Sequence, residues 1–262
     1  MRDPIAADAV ALSGFAQYQK FSTMPCGYSD SAWISGEIAL NRTSPVRIVI
    51  NGLSGLNGHA PSLAIGILSD ANTVGGVFEQ CYSSATQPKM DGWLWSTIEN
   101  SELQVGAKGK QFHCMGTDGA AASAAIGSRI YAYASFLMSY DPGTSVYRAE
   151  YATASGLHVY PEMGLVALQP AVANPATVAT LEQAGGTYAR QFGACYLYGT
   201  AVGPCAAVVN PDQSVARPFP FSKYHHTLAL AGNGSLDGGT AAITGAAPPS
   251  SMAADTAVIA LP

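Results

Sequence analysis

The sequence predicts a mainly β protein, an antiparallel sandwich or jelly roll with two helical insertions. Two observations predict it. From Pro25 onward apolar residues recur with a period of two, and turn dipeptides separate the recurring runs. A third observation is compositional: charged residues make up 11% and hydrophobic residues 48% of 262 residues, with 28 glycines and 44 alanines. That is ample apolar material for a core and little charge for open water.

The first element is a helix over residues 4–19. Asp3 is an N-cap and Pro4 suits the first helical position. Ile5, Ala9, Leu12 and Ala16 follow at helical spacing, with Phe15 and Tyr18 beside them. Gly14 weakens this helix by about 1 kcal/mol relative to alanine. No basic stretch leading into a long apolar run follows Met1, so no signal peptide is read there.

Strands are expected over Trp33–Leu40, Pro45–Ile50, Ser62–Ser69, Gly76–Tyr82, Gly92–Ile98 and Gln111–Met115. Ile126–Ser139 is expected as a long strand, with Arg129, Tyr131, Tyr133 and Ser135 on one face and Ile130, Ala132, Ala134 and Phe136 on the other. Ser145–Tyr151, Leu157–Tyr160, Gly164–Leu168, Tyr188–Tyr198, Ala206–Val209, His226–Ala231 and Thr256–Ala260 complete the set. Asn51-Gly52, Asn57-Gly58, Asp91-Gly92, Asp118-Gly119 and Asp141-Pro142-Gly143 are the turns between them. One segment breaks the pattern: Asn174-Pro175 opens it, Val178 and Leu181 repeat, and Gly185-Gly186 closes it, giving a short inserted helix over 175–184.

The chain divides into a helical segment 1–24, a β domain 25–231, and a Gly/Ala/Pro-rich arm 232–262 that carries the final strand. Up to Ser251 that arm has one charge, Asp237.

Five cysteines leave one thiol over. Cys195 and Cys205 flank a segment with Gly199 and Gly203-Pro204, a hairpin that a disulfide would join at its base. Cys81 and Cys114 each sit in an expected strand, a second pair, and Cys26 is the free thiol. Five buried thiols acting as small apolar residues are the alternative. With no Cys-x-x-Cys, neither a zinc centre nor dithiol redox chemistry is expected.

No catalytic motif stands out. Gly-x-Ser-x-Gly is absent, and Asn51-Gly52-Leu53-Ser54-Gly55 misses it by one position. Gly106-Ala107-Lys108-Gly109-Lys110 lacks the length and the hydroxyl of a phosphate-binding loop, and no nucleotide or other cofactor is implied. Asn233-x-Ser235-x-Asp237-Gly238 is a glycine-rich turn before it is a calcium loop, having one carboxylate. His225-His226 places adjacent rings on opposite strand faces, which does not suit one metal ion. Carboxylates for glycoside hydrolysis are restricted to Glu79, Glu99, Glu102, Glu150 and Glu162. Trp93 and Trp95, two apart on an expected strand, are a stacking platform for sugar rings, or else two core aromatics. Asn41-Arg42-Thr43 and Asn233-Gly234-Ser235 match the glycosylation triplet.

A net charge of −5 with 12 basic residues argues against direct nucleic-acid binding. Gly193, Gly199, Gly203 and Pro204 cut the one long uncharged apolar stretch, so no transmembrane segment is expected. Three functions remain. The leading one is a structural, self-assembling β protein, a virion or tail component or an extracellular filament subunit, whose partners are copies of itself and whose low charge suits covered interfaces. The next is a secreted binding module for glycans or another cell surface. The third is a secreted β-fold hydrolase. The chain is accordingly placed in a virion or outside the cell and read as a non-enzyme.

Overall fold

A computed structural model describes residues 29–51, 53, 65–79, 81–82, 89, 92–116, 126–149, 161–232 and 239–262. The helix expected over 4–19, Cys26, the strand Leu157–Tyr160 and the turn Asn233–Gly238 lie outside the described residues.

Ser29 starts the first helix, α1 (Asp30–Arg42), by accepting a hydrogen bond from the Ala32 N–H at 3.2 Å. A strand was expected over Trp33–Leu40. A capping serine and a basic residue in the last turn, Arg42, favour the helix instead, since Arg42 stands at the negative end of the helix dipole.

Four strands form a parallel sheet: β1 (Ile48–Asn51), β2 (Thr73–Glu79), β3 (Gln111–Gly116) and β4 (Ser145–Ala149), in the order β1-β2-β3-β4. Parallel neighbours require crossover connections, and two expected strands prove to be those crossovers. Gly92–Ile98 opens α2 (Gly92–Ala107), and Ile126–Ser139 is α3. In the same way the described part of Ser62–Ser69 is helical over 65–67 and then turns. Every residue of α3 from Tyr131 to Ser139 is buried, so the helix has no polar stripe to display a period of 3.6. Its alternation of large and small side chains imitates a strand.

Six strands form an antiparallel sheet: β5 (Leu165–Pro170), β6 (Tyr188–Leu197), β7 (Thr200–Asn210), β9 (His226–Gly232), β10 (Gly239–Thr244) and β12 (Thr256–Leu261). Their order is β10-β9-β12-β7-β6-β5. Two short strands, β8 (Arg217–Pro218) and β11 (Ser251–Met252), pair separately. Here the period of two holds. Cys205, Ala207 and Val209 of β7 point into the main core, while Ala206 and Val208 point to a smaller cluster with Tyr224 and Met252. Tyr198 and Gly199, both at positive φ (49° and 79°), make the two-residue turn between β6 and β7.

The protein is mainly β, and its antiparallel sheet is the layer a sandwich would contribute. The other layer departs from a jelly roll. The inner face of the six-stranded sheet packs on α3, and a parallel sheet joins the same core. The helix expected over 175–184 is a single 3-10 turn, Val178–Leu181. Thr177 makes no side-chain cap, and Glu182 already bridges back to Tyr188, which stops the helix. In the last stretch of the chain, Gly239–Thr244 and Thr256–Leu261 are built into the sheet as β10 and β12. β12 lies between β7 and β9, with Ile259, Ala260 and Leu261 buried.

Candidate functional site

Trp93 and Trp95 stand on the first turns of α2, where residues two apart point in directions about 200° apart. They therefore do not share a face. Trp95 is fully buried, its indole N–H donates to Ser135 Oγ at 2.8 Å, and its ring lies 4.7 Å from that of Tyr188. Trp93 is 62% exposed. The paired platform is corrected to one exposed indole and one core indole.

Trp93 stands at the edge of an open cleft of about 320 Å³ lined also by Trp95, Ser96, Glu182, Tyr188, Asp212 and Arg217. Four parts of the chain meet there: the start of α2, the start of β6, the turn after β7, and β8. The Gly92 N–H donates to the Pro211 carbonyl at 2.8 Å, which fixes the helix start against that turn. Ser96 and Thr97 hydroxyls both donate to the Trp93 carbonyl, so the exposed indole sits on a firm helical turn. Asp212 accepts from the Ser214 and Val215 N–H groups, each at 3.0 Å, and from Arg217 Nη2 at 2.9 Å. Those backbone donors, with the guanidinium, hold its carboxyl down at about 2. Gly186, at φ 82°, gives the Arg217 guanidinium room: a β-carbon there would lie 3.1 Å from its nitrogen. Burial raises the Tyr188 hydroxyl, and Glu182 adds to the shift. The result is one aromatic face beside fixed hydrogen-bond donors and acceptors.

Sequence reasoning singled out Trp93 but not Asp212 or Arg217. The available signal was Asp212-x-Ser214, a short polar side chain positioned to bond the backbone two residues on.

The carboxylates separate. Glu162 is buried and paired with Arg129, which also donates to the Gly232 carbonyl at 2.8 Å. Glu99 and Glu102 meet beneath α3, both buried, with Ser139 Oγ 2.6 Å from Glu99 Oε2 and 2.9 Å from Glu102 Oε2. Burial, reinforced by Glu102, pushes the Glu99 carboxyl well up; burial pushes Glu102 up to about 7. Glu150 and the side chain of Glu79 lie outside the described residues. Asn41 is buried and donates to Thr73 Oγ1 at 3.2 Å, so its triplet is no accessible glycosylation site. His226 Nδ1 is 2.9 Å from the Thr244 carbonyl oxygen, in a ladder contact. Among the described residues no group of three metal-ligating side chains converges.

Cys81 is joined to Cys114 and Cys195 to Cys205, with Cα atoms 5.4 and 6.0 Å apart. Two disulfides belong to an oxidising setting, extracellular or secreted. Among the described residues no helix is long and apolar enough to cross a membrane. The chain matches no family model, no curated protein and no solved structure.

Proposed function

We propose that the protein is an extracellular binding module whose cleft at Trp93 takes a neutral glycan. The single observation that carries this reading is an exposed indole on a rigid helical turn beside an ordered Asp212–Arg217 pair. Sugar rings present C–H groups on one face, which suit an aromatic ring, and hydroxyls at the rim, which suit paired carboxylate and guanidinium groups. Arg217 is already matched by Asp212, and Glu182 adds a second acid, so the lining favours a neutral sugar over an acidic one.

The test is an immobilised panel of neutral and acidic oligosaccharides probed with the wild type and Trp93→Ala. The expected outcome is binding to a neutral member that weakens at least about tenfold in the variant, because one stacked ring contributes about 0.5–1.5 kcal/mol beyond its buried area. Equal binding by both proteins, or none to any sugar, removes the reading.

A second reading is the structural one, in which copies of the chain assemble as part of a virion, tail or filament. One observation favours it. Val166 on β5 is exposed at a groove of about 190 Å³ lined by Tyr133, Phe136, Tyr140 and Tyr147. Light scattering at low and high concentration tests it: a mass many times 26.9 kDa supports assembly, and a strict monomer ends it. The hydrolase reading loses its best carboxylate pair, since Glu99 and Glu102 are shut away from solvent.

A further inference from the structure

The Glu99–Glu102 cluster plays no part in the cleft, yet it brings two carboxyl groups onto one hydroxyl in the middle of the protein. A serine hydroxyl has a single proton to donate. At 2.6 and 2.9 Å from Ser139 Oγ, both Oε2 atoms are within hydrogen-bond distance, and only one can be receiving that proton. The other contact is a hydrogen bond only if its carboxyl carries a proton and donates to Ser139 Oγ.

We propose that Glu99 and Glu102 share one proton, and that this proton is a pH-sensitive lock on the α2–α3 layer: closed while held, loosened when it leaves in alkaline solution.

Charge balance points the same way. The groups facing the pair are Tyr82 after β2, Ser139 on α3, Ser145 on β4 and Arg190 on β6; of these only Arg190 is cationic. Asp141 acts on Arg190 from the end of α3. With one proton held, the two carboxyls carry one negative charge against the one positive charge of Arg190. Without it the buried cluster gains an uncompensated charge, which a low-dielectric interior strongly disfavours. Arg190 cannot turn to meet a second charge. Its Nη1 donates to the Met138 and Tyr140 carbonyls at 2.9 and 2.8 Å, and its Nη2 to Val172 at 3.1 Å. Glu99 Oε1 and Glu102 Oε1 find no partner among the described residues, and the donors on the Oε2 side are neutral hydroxyls, Ser139 and, 3.4 Å from Glu102 Oε2, Tyr82.

The sign follows from linkage. The folded state holds a proton that the unfolded state has released above the ordinary carboxylate range. The stabilisation is therefore complete below the ordinary carboxylate range and is lost as pH rises from there into the raised range of the pair. Since α2 carries Trp93 at its other end, the same proton ties the cleft's supporting helix to pH, but the lock stands whatever the cleft binds.

The test measures melting temperature against pH for the wild type, Glu99→Gln and Glu102→Gln, between about pH 5 and pH 9. The expected wild-type result is a fall of about 5 °C or more across that range. Either amide leaves a single carboxyl opposite Arg190 with no second carboxyl to share its proton, so the fall should shrink in both variants. A flat wild-type profile overturns the proposal, as does an undiminished fall in both variants, which would assign it to histidines. Should the variants fail to fold, infrared spectra of the wild type decide. A protonated-carboxyl band present in mild acid and gone in mild alkali supports the lock, and no such band overturns it.

Discussion

The parallel half, residues 29–149, and the antiparallel half, residues 161–262, are held together in different ways. The antiparallel sheet is buried on both faces at its centre, with Cys205, Ala207 and Val209 of β7 toward the helices and Ala206 and Val208 away from them. Its buried polar residues are few. The parallel half buries Asn41, Asp70, Thr73, Glu99, Glu102 and Ser139 among others. Where β2 and β3 begin, Lys110 donates to the Asp70 and Thr73 carbonyls at 2.8 and 2.6 Å, and Asn72 Nδ2 to Asn41 at 2.7 Å. Apolar alternation fixes which way a strand faces, whereas a polar knot of this kind fixes which residue meets which.

Arg190 joins the two halves, because it sits on β6 and its guanidinium satisfies the carbonyls at the end of α3. Arg190→Ala should give the largest effect, a loss of about 3–5 kcal/mol, since it strands those carbonyls and the Glu99–Glu102 charge. Denaturant unfolding measures it, and a loss under about 1 kcal/mol would mean the halves are not coupled through this residue.

Removing the disulfides sharpens the contrast at intermediate size. Cys81–Cys114 closes 33 residues and Cys195–Cys205 closes 10. Chain entropy alone then predicts losses of about 4 and about 3 kcal/mol for the paired alanine variants. If the hairpin pair costs more, its role lies in packing rather than in loop closure.

Arg42→Ala should be the smallest, within about 1 kcal/mol, because Arg42 is 68% exposed although its partner Asp70 is buried. A larger loss would show that the knot depends on that cation.

The same contrast explains what was legible in the sequence. Expected strands at Gly164–Leu168, Tyr188–Tyr198, Ala206–Val209, His226–Ala231 and Thr256–Ala260 all lie on observed strands, because a sheet with two apolar faces and tight turns writes its period plainly. Pro45–Ile50, Gly76–Tyr82, Gln111–Met115 and Ser145–Tyr151 overlap the parallel strands as well. The helices were misread. α3 shows no polar side, and its 14 residues, long for a strand, were the signal that could have separated the two. In α2 the spacing of Trp93 and Trp95 suggested alternation, yet 16 residues run from Gly92 to Ala107 without a turn dipeptide. The cleft was half legible: aromatic side chains announce themselves, while Asp212 and Arg217 acquire meaning only once β7 and β8 bring them to the start of α2.

The Cys81–Cys114 bond encloses all of α2 within its ring, since the helix runs from Gly92 to Ala107. A protease that cuts the backbone once anywhere inside that ring leaves a single covalent molecule. Trp93 and the Glu99–Glu102 pair then remain attached through both ends of the cut. Such a nicked protein would keep its mass on a non-reducing gel and separate into two pieces only after reduction.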